Sequence, residues 1–222
     1  MTTAPRSTAP GAPPAPPPAP LIKRFALFAF FSLIAMTLLW SKVTPWLSYP
    51  VAVVSHIALE QVAPIWVRTV HKEPGKLTLD TSVSITLPTG GKGDVVLEAD
   101  PGRYAYGLPI VWALLLAAWG AARLPGLLGK AVLGYLLLLP AQAFSLVMYL
   151  LMELATAARL NVRTLRIDTW QLESIVFGYQ LGVLVLPTLM PVLVWLLLDR
   201  RFFTEVIVYG WQQSLKRKPR TR

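Results

Sequence analysis

The sequence predicts an all-α membrane protein: a bundle of four transmembrane helices with a small external α+β cap made of an amphipathic helix and a β-hairpin. Two observations predict this class. Of the 222 residues, 55% are hydrophobic and only 14% are charged, whereas a typical soluble domain is about 25% charged. The apolar residues are also concentrated in four long runs that contain no Asp, Glu, Lys or Arg, as membrane spans do.

The first 21 residues are predicted to form a disordered tail. Eight of the twenty prolines lie within residues 1–20. Proline lacks an amide donor and fixes φ, so an Ala/Pro-rich segment favours an extended polyproline conformation over a packed fold. We interpret the tail as a spacer, and a proline-rich ligand for a partner is the alternative.

The four apolar runs predict the four spans. Crossing a bilayer takes about 20 apolar residues. The last three runs are long enough by themselves, and the first is long enough when its weaker end, residues 41–47, is included. The link 123–130 is short, so the second and third spans are predicted to be antiparallel neighbours. The predicted spans are residues 22–47, 104–122, 131–152 and 174–198.

The distribution of charge predicts the orientation of the spans. If the N-terminus is cytoplasmic, twelve of the 21 basic residues and two of the 11 acidic residues lie inside, and nine of each lie outside. Cytoplasmic loops of membrane proteins carry the excess of Lys and Arg, so both termini are predicted to be cytoplasmic. Residues 199–222 then form a basic tail. Lipid headgroups rather than nucleic acid are the partner predicted for its cations, Arg200, Arg201, Lys216, Arg217 and Lys218.

The external segment 48–103 is predicted to hold a helix followed by a β-hairpin. Val51–Val67 shows helical spacing, with Ser55 and His56 on its polar side and Val62 and Ile65 on its apolar side. Strict alternation from Leu77 to Leu87 and again from Val95 to Ala99 then predicts two strands. One hairpin is marginal alone, so the bundle, the membrane or a partner must cover its apolar face. We take that face as the candidate partner surface, with Leu79, Val83, Ile85, Val95 and Leu97.

No catalytic, cofactor or metal site is predicted. The chain has no cysteine and only two histidines, which excludes cysteine nucleophiles and thiolate metal sites. His56 and Glu60 share a helix face but lack the third protein ligand that a catalytic zinc site needs. Residues 90–93 are glycine-rich but precede a strand, whereas a phosphate-binding loop opens a helix.

Polar residues inside the third and fourth spans are predicted to make interhelical contacts. Gln142 and Ser145 lie in the third span and Tyr179 and Gln180 in the fourth, with a hydrogen bond between Ser145 and Gln180 as the specific expectation. No ionisable group lies at mid-bilayer, where a transporter would be expected to keep one. A transporter or channel with a polar path at Gln142, Ser145 and Gln180 stays open as an alternative.

Two carboxylates mark the outer ends of these spans. Glu153 follows the third span and Glu173 precedes the fourth. We interpret them as interfacial side chains. The alternative is an enzyme that uses them as a general acid and base, which requires the two groups to lie close together.

Several sequence blocks, in this order and with a β-forming external segment before them, resemble the exosortase H-associated membrane proteins. The resemblance covers roughly residues 22–203. Its blocks are Tyr104-Ala105-Tyr106-Gly107-Leu108-Pro109, Leu137-Leu138-Leu139-Pro140-Ala141-Gln142-Ala143-Phe144, Trp170-Gln171-x-Glu173, Gly178-Tyr179-Gln180-x-Gly182, Leu186-Pro187-x-x-x-Pro191-Val192 and Asp199-Arg200-Arg201-Phe202.

The resemblance implies a location and a role. Members of this family are small integral proteins of the bacterial inner membrane, found with an exosortase, a multispanning cysteine enzyme that processes proteins carrying a C-terminal sorting signal. Without a cysteine, this chain cannot be that enzyme. The resemblance therefore implies a non-catalytic accessory or scaffold protein with a periplasmic cap, which binds a membrane partner through the hairpin and the outer helix ends.

Overall fold

The computed structural model describes residues 19–86, 91–122, 125–200 and 203–204. Within these ranges the chain is mostly helical and carries one small antiparallel sheet. The α-helices are α1 Ala19–Leu47, α2 Tyr49–Val62, α3 Gly107–Ala122, α4 Leu127–Ala157, α5 Val162–Leu165, α6 Thr169–Tyr179 and α7 Leu186–Leu198. The strands are β1 Val67–Glu73, β2 Lys76–Thr86 and β3 Lys92–Ala99. A π-helical segment, Gln180–Val185, joins α6 to α7.

Three helices of the described chain are long and apolar enough to cross a membrane. They are Lys23–Leu47 in α1, Leu127–Ala157, which is α4, and the continuous rod Thr169–Leu198. The predicted second span is shorter than expected, because residues 104–106 lie outside the helix and α3 has 16 residues. At 1.5 Å per residue, α3 is about 24 Å long, against roughly 30 Å of bilayer hydrocarbon. The four-span count is therefore not confirmed.

The helix α4 is the centre of the bundle. It contacts α2, α3, α6, the π-helical segment and α7, whereas α1 packs mainly against α3. Toward the start of α4, a buried apolar cluster joins α3, α4 and α7 through Val111, Leu138 and Val194. Toward its end, a second and larger cluster joins α4 to α2 and to the sheet. This second cluster holds the cap on the bundle.

The sheet has three strands in the order β1-β2-β3, one more than the predicted hairpin. The alternation predicted for β2 is confirmed: Leu77, Leu79 and Val83 are buried, while Ser82 and Ser84 are exposed. Strand β1 was not predicted because most of its side chains are polar and exposed, as suits an edge strand. Part of the predicted turn, residues 87–90, lies outside the described residues.

The candidate partner surface on the hairpin is wrong as a docking face. Four of its side chains are buried and Ile85 is half-buried, all within the cluster that includes α2 and α4. Leu79, for example, is only 2% exposed. Periodicity correctly identified an apolar face that needs cover, and the chain supplies that cover itself. The five predicted residues are Leu79, Val83, Ile85, Val95 and Leu97.

The external helix α2 ends earlier than predicted and turns a different face inward. It stops at Val62, and Val62 and Ile65, both assigned to the apolar side, are 63% and 59% exposed. Ser55, assigned to the polar side, is buried, because its hydroxyl donates to the Ala143 carbonyl oxygen at 3.3 Å. That tertiary hydrogen bond lets a serine occupy the core-facing side.

Most of the predicted outer loop, residues 153–173, is helical. α4 continues to Ala157, α5 follows, and α6 begins at Thr169, so both predicted carboxylates lie within helices. At the other end of the bundle, Arg200 is exposed. Four further predicted lipid-contacting cations lie outside the described residues, as do residues 1–18 of the predicted tail: Arg201, Lys216, Arg217 and Lys218.

Candidate functional site

One face of α4 carries a row of polar side chains, which we call the polar stripe: Gln142, Ser145, Tyr149 and Glu153. They are three or four residues apart, so they lie above one another on a helix. The stripe runs from the middle of the bundle to the end that carries the sheet. Two of its members, Gln142 and Ser145, are buried although they are polar, so their partners decide what the stripe does.

Gln142 anchors the buried end of the stripe. Its side chain is 4% exposed, and its Nε2 donates to the Ala105 carbonyl oxygen at 3.3 Å. Its Oε1 has no partner among the described residues. Gln142 and Ser145 line a cavity of about 10 Å³ together with Tyr104 and Pro187. That is about the smallest space that can hold one water molecule, and a buried amide oxygen is costly without a hydrogen bond.

Ser145 lies at a close approach of α4 and the π-helical segment. Its hydroxyl donates to the Ala141 carbonyl oxygen of its own helix at 2.9 Å. A Cβ added to Gly182 would lie 3.2 Å from the Ser145 Cα atom, so a glycine lets the two backbones come together. The structure thus places a small residue, rather than a hydrogen-bonding one, opposite this serine.

The predicted hydrogen bond between Ser145 and Gln180 is wrong. The Gln180 side chain is exposed and has no hydrogen-bond partner among the residues that the structure describes. The reason is the π-helical segment that begins at Gln180: its wider turn changes which residues face α4. Gly182 faces Ser145 instead.

The outer end of the stripe meets a group of three phenols, which we call the tyrosine cluster: Tyr104, Tyr149 and Tyr179. The rings of Tyr104 and Tyr149 lie 5.2 Å apart, and Tyr179 and Arg103 lie near enough to interact with both. Burial raises the pKa of Tyr104, so its phenol stays neutral. Tyr179 was predicted from the sequence, but Tyr149 was missed. Its spacing of seven and four residues from Gln142 and Ser145, which places it on the same helix face, could have identified it.

The two predicted carboxylates have different surroundings. Glu153, on α4, interacts with the Tyr149 hydroxyl one helical turn away. Glu173, on α6, is exposed and has no ion pair or side-chain hydrogen bond within the described part of the chain. The structure therefore brings Glu153, but not Glu173, to the tyrosine cluster.

The histidines are held in polar networks on the cap. His56 Nε2 lies 3.0 Å from Glu60 Oε1, and its Nδ1 lies 2.8 Å from the Lys72 ammonium. His71 Nε2 lies 3.7 Å from Asp80 Oδ2. Over the described residues, no group of three or more His, Asp or Glu side chains is placed to hold a metal ion.

A buried ion pair that sequence reasoning missed closes the opposite end of the bundle. Lys130, in the first turn of α4, contacts the carboxylate of Asp199, which follows α7 and is 4% exposed. Both residues flank predicted spans on the same side of the membrane, and this shared position could have indicated that they pair. The pair fixes the end of α7 against the start of α4.

Comparison with known proteins gives one match. A family model described as exosortase H-associated membrane protein matches residues 19–202. A search of curated proteins and a search of solved structures each found no match.

Proposed function

Because the chain belongs to the exosortase H-associated membrane protein family, we propose that it is a non-catalytic accessory protein of an exosortase-type protein-sorting system. The observation that carries the proposal is the family match over residues 19–202. The chain also lacks the cysteine nucleophile that the sorting enzyme requires.

We further propose that the protein lies in the inner membrane with both termini in the cytoplasm and the sheet on the periplasmic side. The excess of Lys and Arg on one side supports this orientation. The start of α4 and the end of α7 meet at the Lys130–Asp199 pair, and the sheet packs near the other end of α4. Charged ends and cap therefore lie at opposite ends of the same helix.

The outer end of α6 replaces the hairpin as the proposed contact surface for the partner. Glu173 and Phe177 are four residues apart on one face of α6, and Phe177 is 70% exposed. An exposed carboxylate without a partner beside an exposed aromatic ring offers one charged and one apolar contact to a neighbouring helix. The buried apolar face of the sheet offers neither.

Co-purification tests the proposal. The tagged full-length chain is extracted from native membranes that contain an exosortase, and we expect the two proteins to elute together. A photo-crosslinking residue at Phe177 is expected to label the exosortase, while one at Phe30, an exposed residue of α1, serves as the matched control. Elution of the chain alone, with the exosortase intact, would refute the proposal.

A subunit of a transporter or channel is the second candidate, favoured by the unpartnered Gln142 Oε1 at a buried cavity. Replacing Gln142 with Leu is then expected to abolish flux, whereas a packing role predicts only a change in stability. The cavity holds about one water molecule and Gln180 is exposed, so the accessory role has the stronger support.

A further inference from the structure

The segment that links α4 to α6 forms a cleft with a positive lining, which we call the basic cleft. Its volume is about 290 Å³, and it is lined by Val162, Arg163, Arg166, Ile167, Asp168 and Gln171. Both arginines are exposed, and neither makes an ion pair within the described residues. Asp168 is the one acidic side chain in this lining, so the cleft carries a net positive charge.

An apolar groove continues from the basic cleft. Its volume is about 270 Å³, and Ile167 and Gln171 line both cavities. Most of the remaining lining is apolar and comes from the end of α2 and the residues that follow it, from α4 and from α6. Trp170, at the start of α6, lines the groove and is 64% exposed. The other lining residues that matter here are Ile65, Trp66, Met148 and Ile175.

One hydrogen bond fixes the elements that line the basic cleft relative to those that line the apolar groove. The indole Nε1 of Trp66 donates to the Leu165 carbonyl oxygen at 2.8 Å, and both residues are buried. This bond fixes α5, which carries Arg163, against the segment that follows α2. The Asp168 amide, which donates to Gln171 Oε1 at 3.0 Å, fixes the start of α6 beside it.

We propose that the basic cleft and the apolar groove together bind one anionic phospholipid. The headgroup phosphate lies between Arg163 and Arg166, whose guanidinium groups pair well with phosphate oxygens. One acyl chain lies in the groove. The order of these features along the membrane normal supports this pose: the arginines lie in the link between two candidate spans, while Met148 and Ile175 lie within those spans.

The exposed Trp170 also supports a position of the two cavities at the membrane–water interface. Tryptophan is enriched where membrane and water meet, and here it lies between the charged lining and the apolar lining. The inference requires only that α4 and α6 enter the membrane, so it is independent of the proposed exosortase partner.

Lipid retention tests the proposal. The full-length protein in detergent is supplemented with phosphatidylglycerol or with phosphatidylcholine of the same chain length, and bound lipid is counted by native mass spectrometry. We expect one molecule of phosphatidylglycerol and no phosphatidylcholine to be retained. Arg163→Gln and Arg166→Gln should each lower retention roughly five-fold. Arg159→Gln, an exposed arginine of the same link outside the cleft, is the matched control and should change nothing.

A second substitution tests the groove. Ser174 is exposed and lines the groove, so Ser174→Trp fills it while leaving both arginines in place, and we expect the lipid to be lost. Leu184→Trp, at an exposed position of the π-helical segment outside the groove, is the matched control and should keep its lipid. Equal retention of the two lipids, or displacement of phosphatidylglycerol by inorganic phosphate alone, would overturn the proposal. So would a Ser174→Trp variant that keeps its lipid, because the groove would then not hold the acyl chain.

Discussion

Replacing Lys130 with Met is expected to destabilise the bundle strongly, because it leaves the buried carboxylate of Asp199 without its partner. The Asp199 side chain is 3% exposed. It also follows the C-terminus of α7, where the helix dipole disfavours a negative charge, and Lys130 in the first turn of α4 is equally disfavoured. Each charge therefore depends on the other. Breaking a buried pair from one side costs about 3–5 kcal/mol of unfolding free energy.

Removing the other partner of the pair, by Asp199→Leu, should cost less unfolding free energy. The Lys130 side chain is 28% exposed, so after Asp199→Leu its ammonium still reaches water, and the expected loss is no more than about 1 kcal/mol. The double variant replaces both charges with apolar groups and should lie within about 1 kcal/mol of the original chain. Arg200→Met removes an exposed neighbouring cation and serves as the control.

Reversible unfolding in mixed detergent micelles, followed by tryptophan fluorescence, measures these free energies. The expected order of destabilisation is Lys130→Met first, Asp199→Leu second and the double variant least. If Lys130→Met and the double variant lose the same free energy, the carboxylate is not held in a buried, uncompensated state, and the argument from burial is refuted.

Three further outcomes follow from the polar stripe and the sheet. Gln142→Leu should change the unfolding free energy by about 0.6 kcal/mol, the average for an interhelical hydrogen bond in a membrane protein, and leave exosortase co-elution intact. Gly182→Val should cost about 1–3 kcal/mol by overpacking against the α4 backbone, measured in the same unfolding assay. Hydrogen bonds from the Ser84 hydroxyl and the Arg68 guanidinium hold the pKa of Asp94 below its ordinary value of 3.8. The stabilisation from Asp94 should therefore be present at neutral pH and lost as the pH falls below about 4, which thermal melts across that range would record.

The glycine and Asp94 outcomes each have a control. A Cβ at Gly129 meets no atom within 4 Å, so Gly129→Val should lack the overpacking cost that Gly182→Val shows. Asp94→Asn should remove its share of the pH dependence. A pH profile that Asp94→Asn leaves unchanged, or equal losses at the two glycines, would contradict the contacts described above.

The parts of the fold that the sequence predicted are those governed by local periodicity. The alternation from Leu77 to Ile85 predicted β2 because side chains on a strand point alternately to two faces. Apolar length identified the three long helices for the same local reason. Strand β1 was not predicted because Arg68 and His71 interrupt the alternation of apolar residues. As an edge strand it pairs with one neighbour only, so its side chains can stay polar and exposed.

The errors arose where a tertiary contact decides the outcome. Ser55 is buried because a carbonyl oxygen 88 residues away accepts its hydrogen bond, which no helical wheel can show. The apolar face of the sheet was correctly recognised as needing cover, but the alternation along the strands does not show which part of the chain covers it, because α4 is distant in sequence. At the polar stripe, Gln142 and Ser145 were identified by residue type. The contact with Gly182 was not, because a π-helical turn shifts the angular position of every later residue.

The position of the sheet has a consequence for biosynthesis. The strands, residues 67–99, leave the ribosome before residues 127–157, the helix on which they pack. Synthesis proceeds from the N-terminus at a finite rate, so Leu79 and its neighbours are translated while α4, a major part of their covering surface, does not yet exist. The nascent cap must therefore remain unaggregated for an interval, and shortening the stretch between strand and helix would shorten that vulnerable period.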